Sequence, residues 1–147
     1  MVLATDMSSH FEFIAKFKNK INGAGLQFND AKDRQLCMDV AIKCGDINNA
    51  AKSLEISTQW AANIMEEFFK QGDEERKLGL PISMFMDRQT TVISKCQVGF
   101  IDYIVIPLYE VWDQFMNDKG LFPAMDNLKT NRDYWKRQAD DPNQAPK

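Results

Sequence analysis

The sequence predicts an all-α fold, a multi-helix bundle without strands. Three observations carry that prediction. Apolar residues recur at spacings of three and four through most of the chain, the period of one helix face. The periodic stretches are bounded by capping residues, glycine or proline. The 147 residues are 44% apolar and 27% charged, the balance of one ordinary globular domain rather than a disordered or fibrous chain. A domain of that length buries about 70% of its unfolded surface, enough for a true core.

The first helix is expected over residues 8–22. Phe11, Ile14, Phe17 and Ile21 form its apolar stripe, Phe13 widens it, and Glu12 with Lys16 pairs on the wet side. Asn22, Gly23 and Gly25 stop it. Asp30 is a good N-cap for a second helix that buries Leu36, Val40 and Cys44, flanked by Cys37 and Ala41, with Gly45 ending it and Asp46 just beyond. A third helix spans 53–78, with rows Trp60–Ile64–Phe68 and Ala61–Met65–Phe69. Arg76, Lys77, Gly79, Leu80 and Pro81 read as its glycine-terminated end. A methionine-rich loop follows.

Residues 91–117 are apolar on nearly every side. The run Ile104, Val105, Ile106 would suit a strand by composition, but the length favours a buried central helix kinked near Pro107. Its few polar positions, Gln97, Asp102, Glu110 and Asp113, therefore stand out. A last helix over 124–138 places Met125, Leu128 and Trp135 together. Residues 1–138 read as the domain and 139–147 as a frayed tail. Val2, Leu3 and Ala4 look like the end of an element that begins upstream.

The net charge of −3 excludes a strongly basic nucleic-acid binder, so neither DNA nor RNA is an expected partner. His10 is the one histidine, so no metal site of two or three histidines can be assembled from this chain. Cys37, Cys44 and Cys96 include no CxxC pair and suit a reduced, cytoplasmic interior. No secretory signal opens the chain and no stretch reads as a membrane span.

The residues taken singly leave alternatives open. Asp46 has the place of a turn former or cap, and equally of a carboxylate metal ligand. Gln97 and Phe100, three apart on the buried helix, are either a satisfied core amide and a core ring or a pair that reads a planar base by edge and face. His10 reads as a partly buried helix residue and the methionines as gap-fillers.

Several blocks narrow those alternatives. They are Thr5-Asp6-Met7 with His10; Cys44-Gly45-Asp46-Ile47-Asn48-Asn49; Ile64 to Asp73; Leu78 to Pro81; Asp87-Arg88; and Gln97 to Val105. In this order they resemble the C-terminal part of the catalytic domain of class I 3′,5′-cyclic nucleotide phosphodiesterases. The resemblance runs up to about Trp135 and covers less than half of that domain. It implies hydrolysis of cyclic AMP, cyclic GMP or both to 5′-nucleoside monophosphates. Two divalent ions, zinc with magnesium or manganese, would be the cofactors.

By the same resemblance Asp46 is a metal ligand, Gln97 hydrogen-bonds the purine edge, and Phe100 and Ile64 are the two jaws on the base. Asn49, Ala61, Met65 and Phe68 line the base pocket, and Thr5, Asp6 and Met7 border the metal end. Asn48, Gly45 and Ala50 depart from the family's usual residues. The histidine ligands and the acid histidine are expected upstream, so no catalytic residue is expected in this chain, which alone should be inactive. A homodimer, or the missing N-terminal half of the domain, is the expected protein partner. The alternative is a catalytically dead short helical protein that acts by binding a partner.

Overall fold

The computed structural model describes residues 2–116 and 123–141. Among these the regular structure is entirely helical, with no strand. Helix α1 (His10–Asn22) follows two single turns of 3-10 helix, Val2–Thr5 and Met7–Ser9. Helix α2 (Ala31–Asp46) leads through a 3-10 turn, Asn48–Ala51, into the long α3 (Leu54–Lys77). Helix α4 (Ile93–Phe100), a π turn (Ile101–Val105) and α5 (Ile106–Met116) run on as one continuous helix, and α6 (Ala124–Ala139) closes the chain.

Local chemistry sets most of these ends. Asp30 caps α2 by accepting the Lys32 N–H at 2.8 Å. Asp33, buried in the first turn, accepts the Gln27 N–H and pairs with Lys20 at 3.1 Å, tying the end of α1 to the start of α2. At the far end of α3, Gly79 takes φ +69, and the Leu80 and Gly79 N–H groups bond back to Glu75 and Arg76. That is a Schellman closure, and it bears out the glycine-terminated end read from the sequence.

The expected kink near Pro107 is instead a π turn directly ahead of it. Proline offers no N–H, and the preceding turn widens so that the Ile106 N–H reaches the Ile101 carbonyl. His10 Nε2 donates to the Ile104 carbonyl oxygen at 3.0 Å from outside the helix. Gly45 and Asp46 lie within α2's last turn, one residue later than the expected stop, because nothing there forces a left-handed glycine.

The core is built around the α4–π–α5 helix. Ile101, Val105, Leu108, Tyr109 and Val111 meet Ile14 and Phe17 of α1, Val40 and Cys44 of α2, Ala61 of α3, and Leu128 and Trp135 of α6. Phe17 is wholly buried between Trp112 and Phe115. Phe11, expected in the stripe, is 59% exposed, while His10, expected to be partly buried, is 1% exposed. His10 stands four and seven residues before Ile14 and Phe17, on the same buried face of α1, and its ring reaches the Ile104 carbonyl. Ala41 is exposed, and Asp39 and Lys43 are buried on that helix instead.

The loop 78–92 folds back on α3. Arg88 pairs with Asp73 at 2.7 Å and lies over the Phe69 ring, Arg76 pairs with Asp87, and Glu75 accepts both the backbone N–H and the hydroxyl of Ser83. This clamp holds Phe85 at φ +68, where a side chain is strained, with Met84 and Phe85 exposed at the tip. Helix α6 runs to Ala139, and residues 142–147 of the expected tail, like residue 117 of the expected central helix, lie outside the described residues.

Candidate functional site

The end of α2 gathers one cluster. Lys43, three residues before Asp46, is 2% exposed and donates its ammonium to the carbonyl oxygens of Ala4 at 2.8 Å and Asp6 at 3.5 Å. The segment Thr5, Asp6, Met7 is thereby held against the helix turn that carries Asp46. Asp6 caps the Met7–Ser9 turn, and the Ser8 N–H it accepts holds its carboxyl below the usual range. Burial pulls the Lys43 ammonium down, and the carboxylates of Asp46 and Asp6 work against that. From the core side the Tyr109 hydroxyl donates to the Cys44 carbonyl at 2.9 Å, satisfying one of the terminal acceptors of α2.

Asp46 and Met7 are exposed and Thr5 is half-buried. No group of three or more His, Cys, Asp or Glu side chains converges among the described residues. Two carboxylates, Asp46 and Asp6, beside a buried ammonium do not hold a pair of divalent ions, which need several anionic or imidazole ligands each. The described residues do not by themselves fit the implied metal pair.

The candidate base-pocket residues begin one turn later. Asn49 sits half-buried in the Asn48–Ala51 turn, which delivers the chain to α3. On α3 the row Ala61, Met65, Phe69 is the core row, with exposures of 1%, 2% and 4%. The neighbouring row is wetter, with Ile64 and Phe68 half-buried and Trp60 52% exposed. On α4, Gln97 is buried, and no hydrogen bond engages its amide among the described residues. Phe100, half-buried three residues on, shares its face and ends α4 where the π turn begins. The Gln97 amide atoms are not among the sealed, unpartnered atoms of the interior, so they remain open to solvent or a ligand.

Helix α6 packs on α3, on α4 and on the Asn48–Ala51 turn. Its Asn131 is wholly buried and donates to the carbonyls of Ala50 at 2.8 Å and Lys52 at 2.9 Å, while Asn127 donates to Ala51 at 3.0 Å. Next to Asn131, Arg132 pairs with Asp102 in the π turn. The structure thus brings Thr5–Met7 to Asp46, and sets the Asn49 turn beside α3 and α6. Lys43, Asn127 and Asn131 escaped the sequence reading. The signal for Asn131 was its place between Leu128 and Trp135, three and four residues away on the apolar stripe.

Comparison with known proteins shows the family of the chain. Residues 1–128 match the family described as 3′5′-cyclic nucleotide phosphodiesterase. The chain belongs to the cyclic nucleotide phosphodiesterase family.

Among its relatives is a 3′,5′-cyclic-AMP phosphodiesterase (isoform F) of Drosophila melanogaster, 41% identical over 92% of this chain and 21% of the relative. Another is the human cGMP-inhibited 3′,5′-cyclic phosphodiesterase 3A, 45% identical over 84% of this chain and 10% of that protein. The solved structure of LmjPDEB1 in complex with IBMX superposes with a TM-score of 0.81 at 31% identity, covering 95% of this chain and 41% of that one. The all-α class expected from the sequence is that of this phosphodiesterase-family fold. The chain spans only a minor part of the length of these relatives.

Proposed function

We propose that this chain forms the base-recognising part of a 3′,5′-cyclic nucleotide phosphodiesterase site and contributes one carboxylate, Asp46, to its metal end. The observation that carries the reading is Gln97, a largely buried residue whose amide atoms are not sealed from solvent, three residues from Phe100 on one helix face, in a chain matched to this family. Gln97 offers a donor and an acceptor in one plane, the complement of a purine edge, and cyclic AMP and cyclic GMP both suit an amide that can flip. Phe100 and Ile64 would hold the ring faces, with Asn49, Ala61, Met65 and Phe68 lining the pocket. Thr5, Asp6 and Met7 would border the phosphate. The reaction adds water across the P–O3′ bond of the cyclic phosphodiester. The remaining metal ligands and the acid that protonates O3′ would come from outside these residues, so the isolated chain is expected not to turn over substrate.

In the complete enzyme, Gln97→Ala should raise KM for cyclic nucleotide by roughly 5- to 150-fold, as loss of an amide's bonds costs about 1–3 kcal/mol. Unchanged kinetics with both cyclic AMP and cyclic GMP would refute the assignment. Asp46→Ala should abolish metal-dependent turnover.

A second reading, a catalytically silent helical protein that works by binding a partner, draws on the fact that no three metal-ligating side chains converge among the described residues. It would bind a second copy of itself or the absent part of the domain. Metal-dependent turnover by the purified 147 residues would dismiss it.

A further inference from the structure

The two walls of the proposed base pocket sit on different parts of the chain. One is the Asn48–Ala51 turn with α3, carrying Asn49, Ile64 and Phe68, and the other is α4 with Gln97 and Phe100. Helix α6 packs against both. Its contacts to the first wall are directional hydrogen bonds, and its contact to the second is an ion pair whose Arg132 Nε–H is not aligned for a hydrogen bond. On the first wall Asn127 and Asn131 take three successive carbonyls, Ala51, Ala50 and Lys52. On the second, Arg132 pairs with Asp102, two residues past Phe100. Asn131 and Arg132 are adjacent in sequence, yet each holds a different wall, and both lie beyond residue 128, where the family match ends.

We infer that α6 is a strut that sets the spacing of the two walls, with Asn131 and Arg132 as its positioning residues. The inference rests on the reading of Gln97 and Asn49 as a purine site and extends it to residues that touch no ligand. A hydrogen bond of fixed length and direction to a backbone carbonyl locates that backbone far more sharply than apolar packing does. Three in a row leave the turn that bears Asn49 little freedom to slide. The buried Asn131 amide cannot rotate away either, because both of its donors are taken. The Arg132–Asp102 pair then fixes the helix turn that follows Phe100 relative to the same stretch of α6. A change in either contact alters the gap between the walls while leaving every base-contacting side chain in place.

The test is a titration of the full 147-residue chain with 3′,5′-cyclic AMP, followed by backbone amide NMR. It is run at a temperature where melting curves show each variant folded. Asn127→Ala and Arg132→Gln, both at half-buried positions, should raise Kd roughly five- to tenfold, a change of about one decade or less in the binding constant. The reversed pair Asp102→Arg with Arg132→Asp should recover most of the affinity, which a loss of stability alone would not predict. Asn131→Ser should lose more; should it fail to fold, the other variants decide. Wild-type affinity in both folded single variants would overturn the strut while leaving the purine site standing. No binding by the wild-type chain would remove the purine site, and the inference with it.

Discussion

The Lys43 ammonium donates to the Ala4 carbonyl oxygen at 2.8 Å, joining the fourth residue of the chain to the last turn of α2. A cation this buried is retained where it satisfies acceptors that water cannot reach. Lys43→Met keeps the apolar stem and removes the charge-assisted bond. The variant should lose about 1–3 kcal/mol of unfolding free energy in urea, and the Val2–Thr5 turn should lose amide protection. An unchanged urea midpoint would show that the ammonium and its desolvation cancel.

His10 gives the fold a pH dependence. Burial is the main cause that holds its imidazole below the ordinary value of 6.5, against the opposing bond to Ile104. Nδ1 is buried without a partner, so a proton added there would have no acceptor. The folded state therefore binds the proton later than the unfolded chain does. Stability is full above about pH 6.5 and falls as pH drops through the unfolded value toward the folded one. Urea midpoints at pH 7.5 and 5.5 should differ more for the wild type than for His10→Phe.

At Gly72 two effects oppose each other. Alanine gains about 1 kcal/mol of helix propensity over glycine. Here, however, a Cβ would stand 1.9 Å from the Met86 carbonyl oxygen, a backbone atom that the Arg88 and Glu75 bonds hold down. The clash should win. Gly72→Ala should lower the melting temperature, with a net loss of about 1–3 kcal/mol, and open the 78–92 loop to proteolysis. A higher melting temperature would show that the loop yields.

Burial pushes the Cys44 thiol up to about 12. At pH 8 its reactive thiolate fraction is on the order of 1 in 10,000, against roughly a quarter for a free cysteine. A thiol reagent such as DTNB should label Cys37 and Cys96, which are half-buried, well before Cys44. Labelling of all three at one rate would mean that this part of the core opens readily.

The helices were legible because apolar spacing, Asp30, Gly79 and Leu80 each speak through local geometry. The family was legible because short blocks such as Thr5-Asp6-Met7 keep their order. The burial of His10 was not, since a polar ring on the stripe of Ile14 and Phe17 goes inside only because the Ile104 carbonyl, 94 residues away, receives its N–H. Lys43 and Asn131 were unreadable for a different reason. Polar residues within a helix look solvated until a partner 39 or 81 residues away is known. The π turn was half legible: Pro107 announces a disturbance, but the interior decides whether the helix bends or widens.

The bonds from α6 to the Asn48–Ala51 turn and Lys52 join residues 76 to 81 apart in sequence. During synthesis the turn emerges first and waits for its partner. At about 5–20 residues per second that interval is roughly 4–16 s, long beside helix formation in microseconds. Through that time the carbonyls of Ala50, Ala51 and Lys52 must bond to water or to a chaperone. A nascent chain stopped before residue 127 therefore holds the makings of both walls with nothing to align them.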